Sequence, residues 1–187
     1  MVYILLVATL LGSQVMIQTD RDTYSNATYP NESYGSEVDL FVEYSQKYGY
    51  FHFIFPETLY GADIQSIDLE IDHFGVVGYG DIDCYAVEEN WLEYYLNWNN
   101  QPAWTDTICC SFPCDSNDGQ FSAEGCQYVE NRLAEQESMF SLALKAPTAA
   151  VGMWTREHTF GMRLTIQYEP ETRVEPSSMG QIKASFK

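Results

Sequence analysis

The side chains best suited to binding chemistry are concentrated in one segment, WLEYYLNWNNQPAW, residues 91–104. An exposed indole ring can stack on a sugar ring, and neighbouring amides can hydrogen-bond to its hydroxyl groups. The residues that could form such a sugar platform are Trp91, Trp98, Asn99, Asn100, Gln101 and Trp104. The same residues also suit a structural corner, because indoles bury large areas and amides satisfy the backbone of turns. In one unbroken strand Trp91 and Trp98 would face opposite ways. We favour the structural role for the segment.

The charge of the chain excludes some classes of partner. Nine basic residues stand against 27 acidic ones, which gives a net charge of -18. Binding to nucleic acid or to an anionic membrane surface needs the opposite sign. An acidic surface keeps a protein soluble and can attract cations such as calcium.

Several carboxylates are candidate oxygen ligands for a cation. They are Asp20, Asp22, Asp81, Asp83, Asp115 and Asp118. The run DSNDG at 115–119 looks a little like a calcium loop, but the distal bidentate glutamate is not in register. Chance in an acidic chain explains the pattern better, so the sequence predicts no metal site and no cofactor apart from N-linked glycans.

The sequence carries no signature of an enzyme. The chain contains no Gly-x-Ser-x-Gly, no His-Glu-x-x-His and no phosphate-binding loop. Acidic residues are abundant, but nothing distinguishes two of them as a glycosidase pair. We therefore predict that the protein is not an enzyme.

Cysteines and glycosylation motifs indicate an extracellular, oxidising environment. Asn26 and Asn31 each begin an Asn-x-Ser/Thr motif, in a segment whose Asn, Pro and Gly content predicts an exposed loop. We predict N-glycosylation at both. The candidates for disulfide bonds are Cys84, Cys109, Cys110, Cys114 and Cys126.

The number of cysteines is odd, so one must be free or bonded to another chain. The sequence does not determine the connectivity. Cys109 and Cys110 are adjacent, and in a strand they would point to opposite faces. A zinc site from Cys109, Cys110, Cys114 and Cys126 is an alternative, although their spacing matches no common zinc motif.

The first 13 residues, MVYILLVATLLGS, are almost wholly apolar. The segment is short for a signal peptide and too short for a membrane-spanning helix. We interpret it as a strand donated to a groove on a neighbouring subunit, with packing in its own domain or an anchor as alternatives. The residues of this assembly strand would be Val2, Ile4, Leu5, Leu6, Val7 and Leu10.

From residue 14 onward the chain is divided into short strands with turns between them. ADIQSIDLEIDHF has the clearest alternation, and YGYFHFIF is a dense aromatic strand. One short helix is predicted in CQYVENRLAEQ. The pattern predicts an all-β fold, an antiparallel jelly-roll-like β-sandwich over 14–169, with an extra apolar N-terminal strand and a C-terminal tail at 170–187.

The order of these pieces resembles one known family. Trp91-x-Glu93, followed by Trp98-Asn99-Asn100-Gln101-Pro102, is similar to the hallmark segment of DNRLRE domains, which are also described as disaggregatase-related modules. DTY at 22–24, YPNESYG, ADIQSIDLEID and MRLTIQYEP are similar to other strands and loops of that family. The resemblance covers roughly residues 15–169. It implies a secreted or surface β-sandwich that binds sugar in some members and is not catalytic.

Two functions follow from these observations. The first is a structural subunit of an extracellular filament or surface appendage, in which copies of the chain join head to tail through the N-terminal strand without membrane insertion. The second is a secreted carbohydrate-binding module that attaches to a polysaccharide. Both place the protein outside the cell or on its surface.

Overall fold

The computed structural model describes residues 12–159 and 161–170, and these ranges contain twelve strands and one α-helix. The strands are β1 Ser13–Gln18, β2 Arg21–Asn26, β3 Asp39–Glu43, β4 Lys47–Ile54, β5 Asp63–Ile71, β6 His73–Gly78, β7 Asp81–Val87, β8 Trp104–Pro113, β9 Asp118–Gln120, β10 Met139–Lys145, β11 Ala149–Trp154 and β12 Met162–Glu169. The helix α1 spans Ala123–Ala134. The predicted assembly strand and most of the predicted tail lie outside the described residues.

Two antiparallel sheets form a β-sandwich. The smaller sheet has the order β1-β12-β5-β9, and the larger has the order β6-β11-β3-β4-β10-β7-β8, with β2 also paired to β4. The main core lies between the two sheets. The predicted all-β, jelly-roll-like fold class is confirmed.

Alternation in the sequence explains how β5 lies on the core. Ile67, Leu69 and Ile71 are buried, while Asp68 and Glu70 between them are only partly covered. Successive side chains of a strand point to opposite faces, so this alternation gives β5 one apolar side. Burying each such side chain contributes roughly 1.5–3 kcal/mol.

The helix α1 forms where the sequence predicts one. Ser122 is its N-cap, and its hydroxyl oxygen accepts a hydrogen bond from the Gly125 backbone N–H at 3.0 Å. Val129 and Leu133, one helical turn apart, are buried on the side that packs against β8 and β5. In the described part of the chain, no helix is long and apolar enough to span a membrane.

Three elements differ from the sequence prediction. Residues 13–26 hold two strands, β1 and β2, which belong to different sheets and which the sequence pattern does not separate. The chain changes sheet at Thr19 and Asp20. The stretch around Cys109 and Cys110 forms β8, and AAVGMW forms β11, although no strand was predicted in either place. Short apolar runs without clear alternation carry little periodic signal, which explains why β11 was missed.

Candidate functional site

The connection from β7 to β8, residues 88–103, is here called the tryptophan loop. It lies over the outer face of the larger sheet, where alternate residues of β4 point away from the main core. Tyr50 and His52 are fully buried there, and the Trp91 ring lies 6.2 Å and 6.1 Å from their ring centres. The loop therefore creates a second, smaller core, in which Leu96 and Ala143 are also buried.

Trp91 anchors the loop to the sheet. It is 4% exposed, and its indole N–H donates a hydrogen bond to Ser141 Oγ at 3.1 Å. Arg21 Nη1 donates to the Trp91 backbone carbonyl oxygen at 3.1 Å. Because only 4% of Trp91 is exposed, its ring offers no open face on which a sugar could stack.

Trp98 and Trp104 continue the aromatic packing. The Trp98 ring stacks on Tyr48 with 5.1 Å between ring centres, and Trp104 meets the same tyrosine edge-on at 5.0 Å. Both tryptophans are half-buried. The segment from 91 to 104 is a loop with one short 3-10 helix at Trp98–Asn100, so the alternation expected of a single strand does not apply.

The amides of the loop mostly satisfy its own backbone. Asn97 Oδ1 accepts from the Asn99 backbone N–H at 2.9 Å, and Asn100 Oδ1 accepts from the Asn97 backbone N–H at 2.7 Å. This reciprocal capping closes the 3-10 helix at its start. Asn100 Nδ2 also donates to the Tyr95 carbonyl oxygen at 2.8 Å. Gln101 Nε2 donates to Ser25 Oγ at 3.1 Å, which ties the loop to β2.

The outward side of the tryptophan loop carries exposed aromatic rings. Tyr95 is 70% exposed, and Tyr94 and Leu92 are also exposed. A cavity of about 420 Å³ lies beside Tyr95, and its lining includes Glu88, Asn90, Leu92, Asn100 and Gln101. The sequence prediction missed Tyr94 and Tyr95. Their position in the sequence between Trp91 and Trp98 could have indicated that they are exposed on a loop held by its tryptophans.

Glu93 belongs to the same loop but is buried, in a cluster of charges that extends from the interior to the surface. Its carboxylate accepts two hydrogen bonds from the Arg156 guanidinium, at 3.1 Å from Nε and 2.8 Å from Nη2. Glu93 Oε1 also accepts from the Asp22 backbone N–H at 3.0 Å. The hydrogen bonds from Arg156 to Glu93 raise the pKa of the guanidinium above its usual range. Glu157 is the third acid of the cluster, 3.0 Å from Arg156 Nη2.

Asp22 is the most buried acid of this cluster, at 1% exposure. Its Oδ2 accepts a hydrogen bond from the Arg156 backbone N–H at 2.9 Å, whereas Oδ1 is buried and has no partner in the described part of the chain. Burial raises the pKa of Asp22 to about 7, the Arg156 N–H opposes that rise, and the negative charges of Glu157 and Glu93 add to it.

The structure groups the candidate metal ligands differently from the sequence. One ligand oxygen each from Asp22, Glu93 and Glu157 lies within 4.8 Å of the other two. Among residues 12–159 and 161–170, no other group of three potential metal ligands meets this spacing. Asp22 is thus the one predicted donor found in such a group. Within the described residues, the other predicted donors are in no such group; they are Asp20, Asp81, Asp83, Asp115 and Asp118. The four cysteines of the zinc alternative do not form such a group either.

The expectation that Cys109 and Cys110 face opposite ways is wrong. Cys110 lies opposite Cys84 in the register of β7 and β8, but Tyr85 lies opposite Ile108. One extra residue, Cys109, is therefore accommodated as a β-bulge, and both adjacent cysteines are buried in the main core. All five thiols are unbonded in the structure, so disulfide formation stays a prediction.

Only one of the two predicted glycosylation sites is exposed. Asn31 lies in the loop after β2 and accepts a hydrogen bond from Asn99 Nδ2 at 2.9 Å. Asn26 instead ends β2 and is 5% exposed, and its Nδ2 donates to the Tyr34 hydroxyl at 3.4 Å. The expectation of an exposed loop at Asn26 is therefore wrong, because pairing of β2 with β4 extends through that residue.

The chain is an antiparallel β-sandwich whose tryptophan loop presents exposed aromatic rings. More specifically, the model of carbohydrate-binding module family 96 matches residues 13–168, and the chain belongs to this family. The predicted resemblance to carbohydrate-binding modules is confirmed at the level of the family, whereas the DNRLRE name is not confirmed. Of the two functions predicted from the sequence, the family favours the carbohydrate-binding module over the filament subunit. None of the curated proteins compared with the chain matches it.

Proposed function

We propose that this protein binds a polysaccharide on the outward side of the tryptophan loop and acts as a non-catalytic attachment module outside the cell. The observation that carries the proposal is the cavity beside Tyr95, in which an exposed ring lies next to three amide side chains. A ring that can stack on a sugar face and amides that can bond its hydroxyls are the combination such ligands require. Membership of carbohydrate-binding module family 96 supports the same function.

The loop is already organised for binding. The capping of the 3-10 helix, the bond from Asn100 to Tyr95 and the buried Trp91 hold the backbone under the cavity. A preorganised site loses less conformational entropy when a ligand binds, so a modest contact area suffices. The buried Trp91 therefore supports the site, and Tyr95 provides its contact surface.

The charge around the cavity favours a neutral polysaccharide. Glu88 lines it, no lysine or arginine does so among the described residues, and the whole chain has a net charge of -18. The negative charge of the protein would repel a polymer of sugar acids, and only added salt would weaken that repulsion.

The test compares matched variants on a panel of polysaccharides. Affinity electrophoresis through gels that contain neutral glucan, mannan or xylan, with alginate and pectate as anionic polymers, would measure retardation of the full chain. We expect Tyr95→Ala to weaken binding about tenfold, since losing an aromatic contact costs about 0.5–1.5 kcal/mol beyond the lost buried area. Tyr79→Ala is the control, because Tyr79 is 80% exposed and lies just before the start of β7, whereas the tryptophan loop follows the end of that strand.

The outcomes separate the alternatives. Retardation by a neutral polymer that Tyr95→Ala reduces and Tyr79→Ala leaves unchanged supports the proposal. Equal retardation of both variants and the parent protein would show that the sugar binds elsewhere. Retardation by alginate or pectate alone, at low and high salt, would contradict the neutral class of ligand.

A further inference from the structure

We propose that the protein binds one calcium ion between Asp22, Glu93 and Glu157, beneath the tryptophan loop. The three acids come from separate parts of the chain: β2, the loop itself, and the connection between β11 and β12. All three offer carboxylate oxygen, the ligand type that Ca²⁺ prefers. This inference does not depend on sugar binding.

The spacing of the oxygens fits one ion. Calcium holds its ligands at 2.3–2.6 Å, so two oxygens bound to the same ion can be at most about 5 Å apart. One oxygen from each of the three acids lies within 4.8 Å of the others. No large rearrangement is needed for one ion to reach all three, and water or backbone oxygens can complete a calcium shell.

An unsatisfied buried oxygen independently indicates a ligand at this place. Asp22 is 1% exposed, and its Oδ1 has no hydrogen-bond partner in the described residues. A buried polar atom without a partner is rare in native proteins and is often explained by an ion or a water molecule. The other oxygen of the same carboxylate is bonded to the Arg156 N–H, which fixes the direction of the group.

The charges of the cluster are unbalanced without a cation. Three carboxylates face one guanidinium, that of Arg156, which makes two of its hydrogen bonds to Glu93. A net charge of about −2 is left when all three acids are ionised, and a divalent cation balances it.

Occupancy of this site would fasten the tryptophan loop to the sandwich. Glu93 is two residues from the anchoring Trp91 and two from Tyr95. An ion bound to Glu93 and to Asp22 of β2 adds a further attachment point to the hydrogen bonds that already hold the loop. We therefore expect that calcium binding also raises the thermal stability of the folded protein.

The test uses the full chain after treatment with a chelator and desalting. Isothermal titration with CaCl2 and with MgCl2 at physiological salt would give affinity and stoichiometry, and thermal unfolding would be followed with and without calcium. Tb³⁺ luminescence excited through nearby tryptophan provides a second readout of the same site. We expect one calcium site, Mg²⁺ binding at least tenfold weaker, and a higher melting temperature with calcium.

Variants locate the ion. Asp22→Asn and Glu157→Gln should each weaken calcium binding at least tenfold and abolish the calcium-dependent shift of melting temperature. Glu157 is on the surface, so its variant keeps the test valid if Asp22→Asn does not fold. Asp118→Asn is the control, because Asp118 is an exposed acid on β9 outside the cluster.

Two results would overturn the proposal. One is the absence of saturable calcium binding by the parent protein, or only many weak sites as expected of a generally acidic surface. The other is calcium binding by Glu157→Gln that equals that of Asp118→Asn. In either case Arg156 and a proton on Asp22 would be sufficient to stabilise the cluster.

Discussion

Trp91 and Ser141 are joined by a buried hydrogen bond, 3.1 Å from the indole nitrogen to the hydroxyl oxygen. Ser141 lies on β10, which pairs with β4 on one side and β7 on the other. The indole therefore reaches the middle strands of the larger sheet from a loop that has no strand partner of its own. This contact decides which aromatic rings of the loop are buried and which, like Tyr95, are exposed.

Removing the Ser141 hydroxyl should destabilise the protein. In Ser141→Ala the indole N–H of Trp91 loses its partner and is too buried to find water, which costs about 1–3 kcal/mol. Urea unfolding measures the free energy of unfolding, with the exposed Ser36→Ala as control. A Trp91→Phe background should reduce the effect of Ser141→Ala, because the donor is already absent. Equal effects of Ser141→Ala in both backgrounds would contradict this account.

Much of the fold could be predicted from local patterns. The alternation in β5 and the aromatic density of β4 indicate strands, and the polar surroundings of Val129 and Leu133 are typical of a short amphipathic helix. Each of these signals lies within about ten residues of sequence. The role of the tryptophan segment as a structural corner also agrees with the burial of Trp91.

The charged cluster could not be predicted in the same way. Glu93 and Arg156 are 63 residues apart, and nothing in their local sequence indicates that they meet. The bulge at Cys109 and the burial of Asn26 depend likewise on the register of partner strands. A shift of one residue in pairing reverses the direction of a side chain, so local alternation is misleading where a strand is irregular.

Gly161 is needed for the close approach of the chain to Asp22. Its φ is +63°, and an added Cβ would lie 2.5 Å from Asp22 Oδ2 and 2.7 Å from Thr19 Cγ2. Gly161→Ala should lower the free energy of unfolding by about 1–3 kcal/mol through backbone strain and displacement of that carboxylate. Gly75→Ala is the matched control, because nothing lies within 4 Å of its added Cβ. If both variants unfold at the same urea concentration, this close approach does not matter for stability.

Buried tyrosines should make the fold sensitive to alkaline pH. Burial raises the pKa of Tyr24 and Tyr50 above the ordinary value of 10.0. The folded state then keeps these protons while the unfolded state releases them, so the stability conferred below pH 10 is lost as the pH rises further. In a spectrophotometric titration of tyrosinate, we expect a slow phase that coincides with unfolding, and Tyr50→Phe should reduce its amplitude. A single fast, fully reversible rise while the protein stays folded would contradict the prediction.

Cys84 and Cys110 are placed to form a disulfide when the chain folds under oxidising conditions. They lie directly opposite each other in the register of β7 and β8, where Cα atoms are about 4.5–5.5 Å apart, within the range that disulfides span. Both are buried, and burial raises the pKa of the Cys84 thiol well above 9.0. A raised pKa leaves little reactive thiolate in the folded protein. We therefore expect the bond to form during folding rather than afterwards.

The experiment refolds reduced protein with glutathione disulfide, which accepts the two electrons as the two thiols lose their protons and the S–S bond forms. Alkylation in denaturant followed by peptide mass spectrometry would then show Cys84 and Cys110 linked and unlabelled. In the reduced, already folded protein under the same oxidant, Cys84 and Cys110 should both stay available for labelling after denaturation, because both are buried. A Cys84→Ala variant should show Cys110 labelled after oxidative refolding. Full labelling of both cysteines in the refolded parent would rule out this pairing.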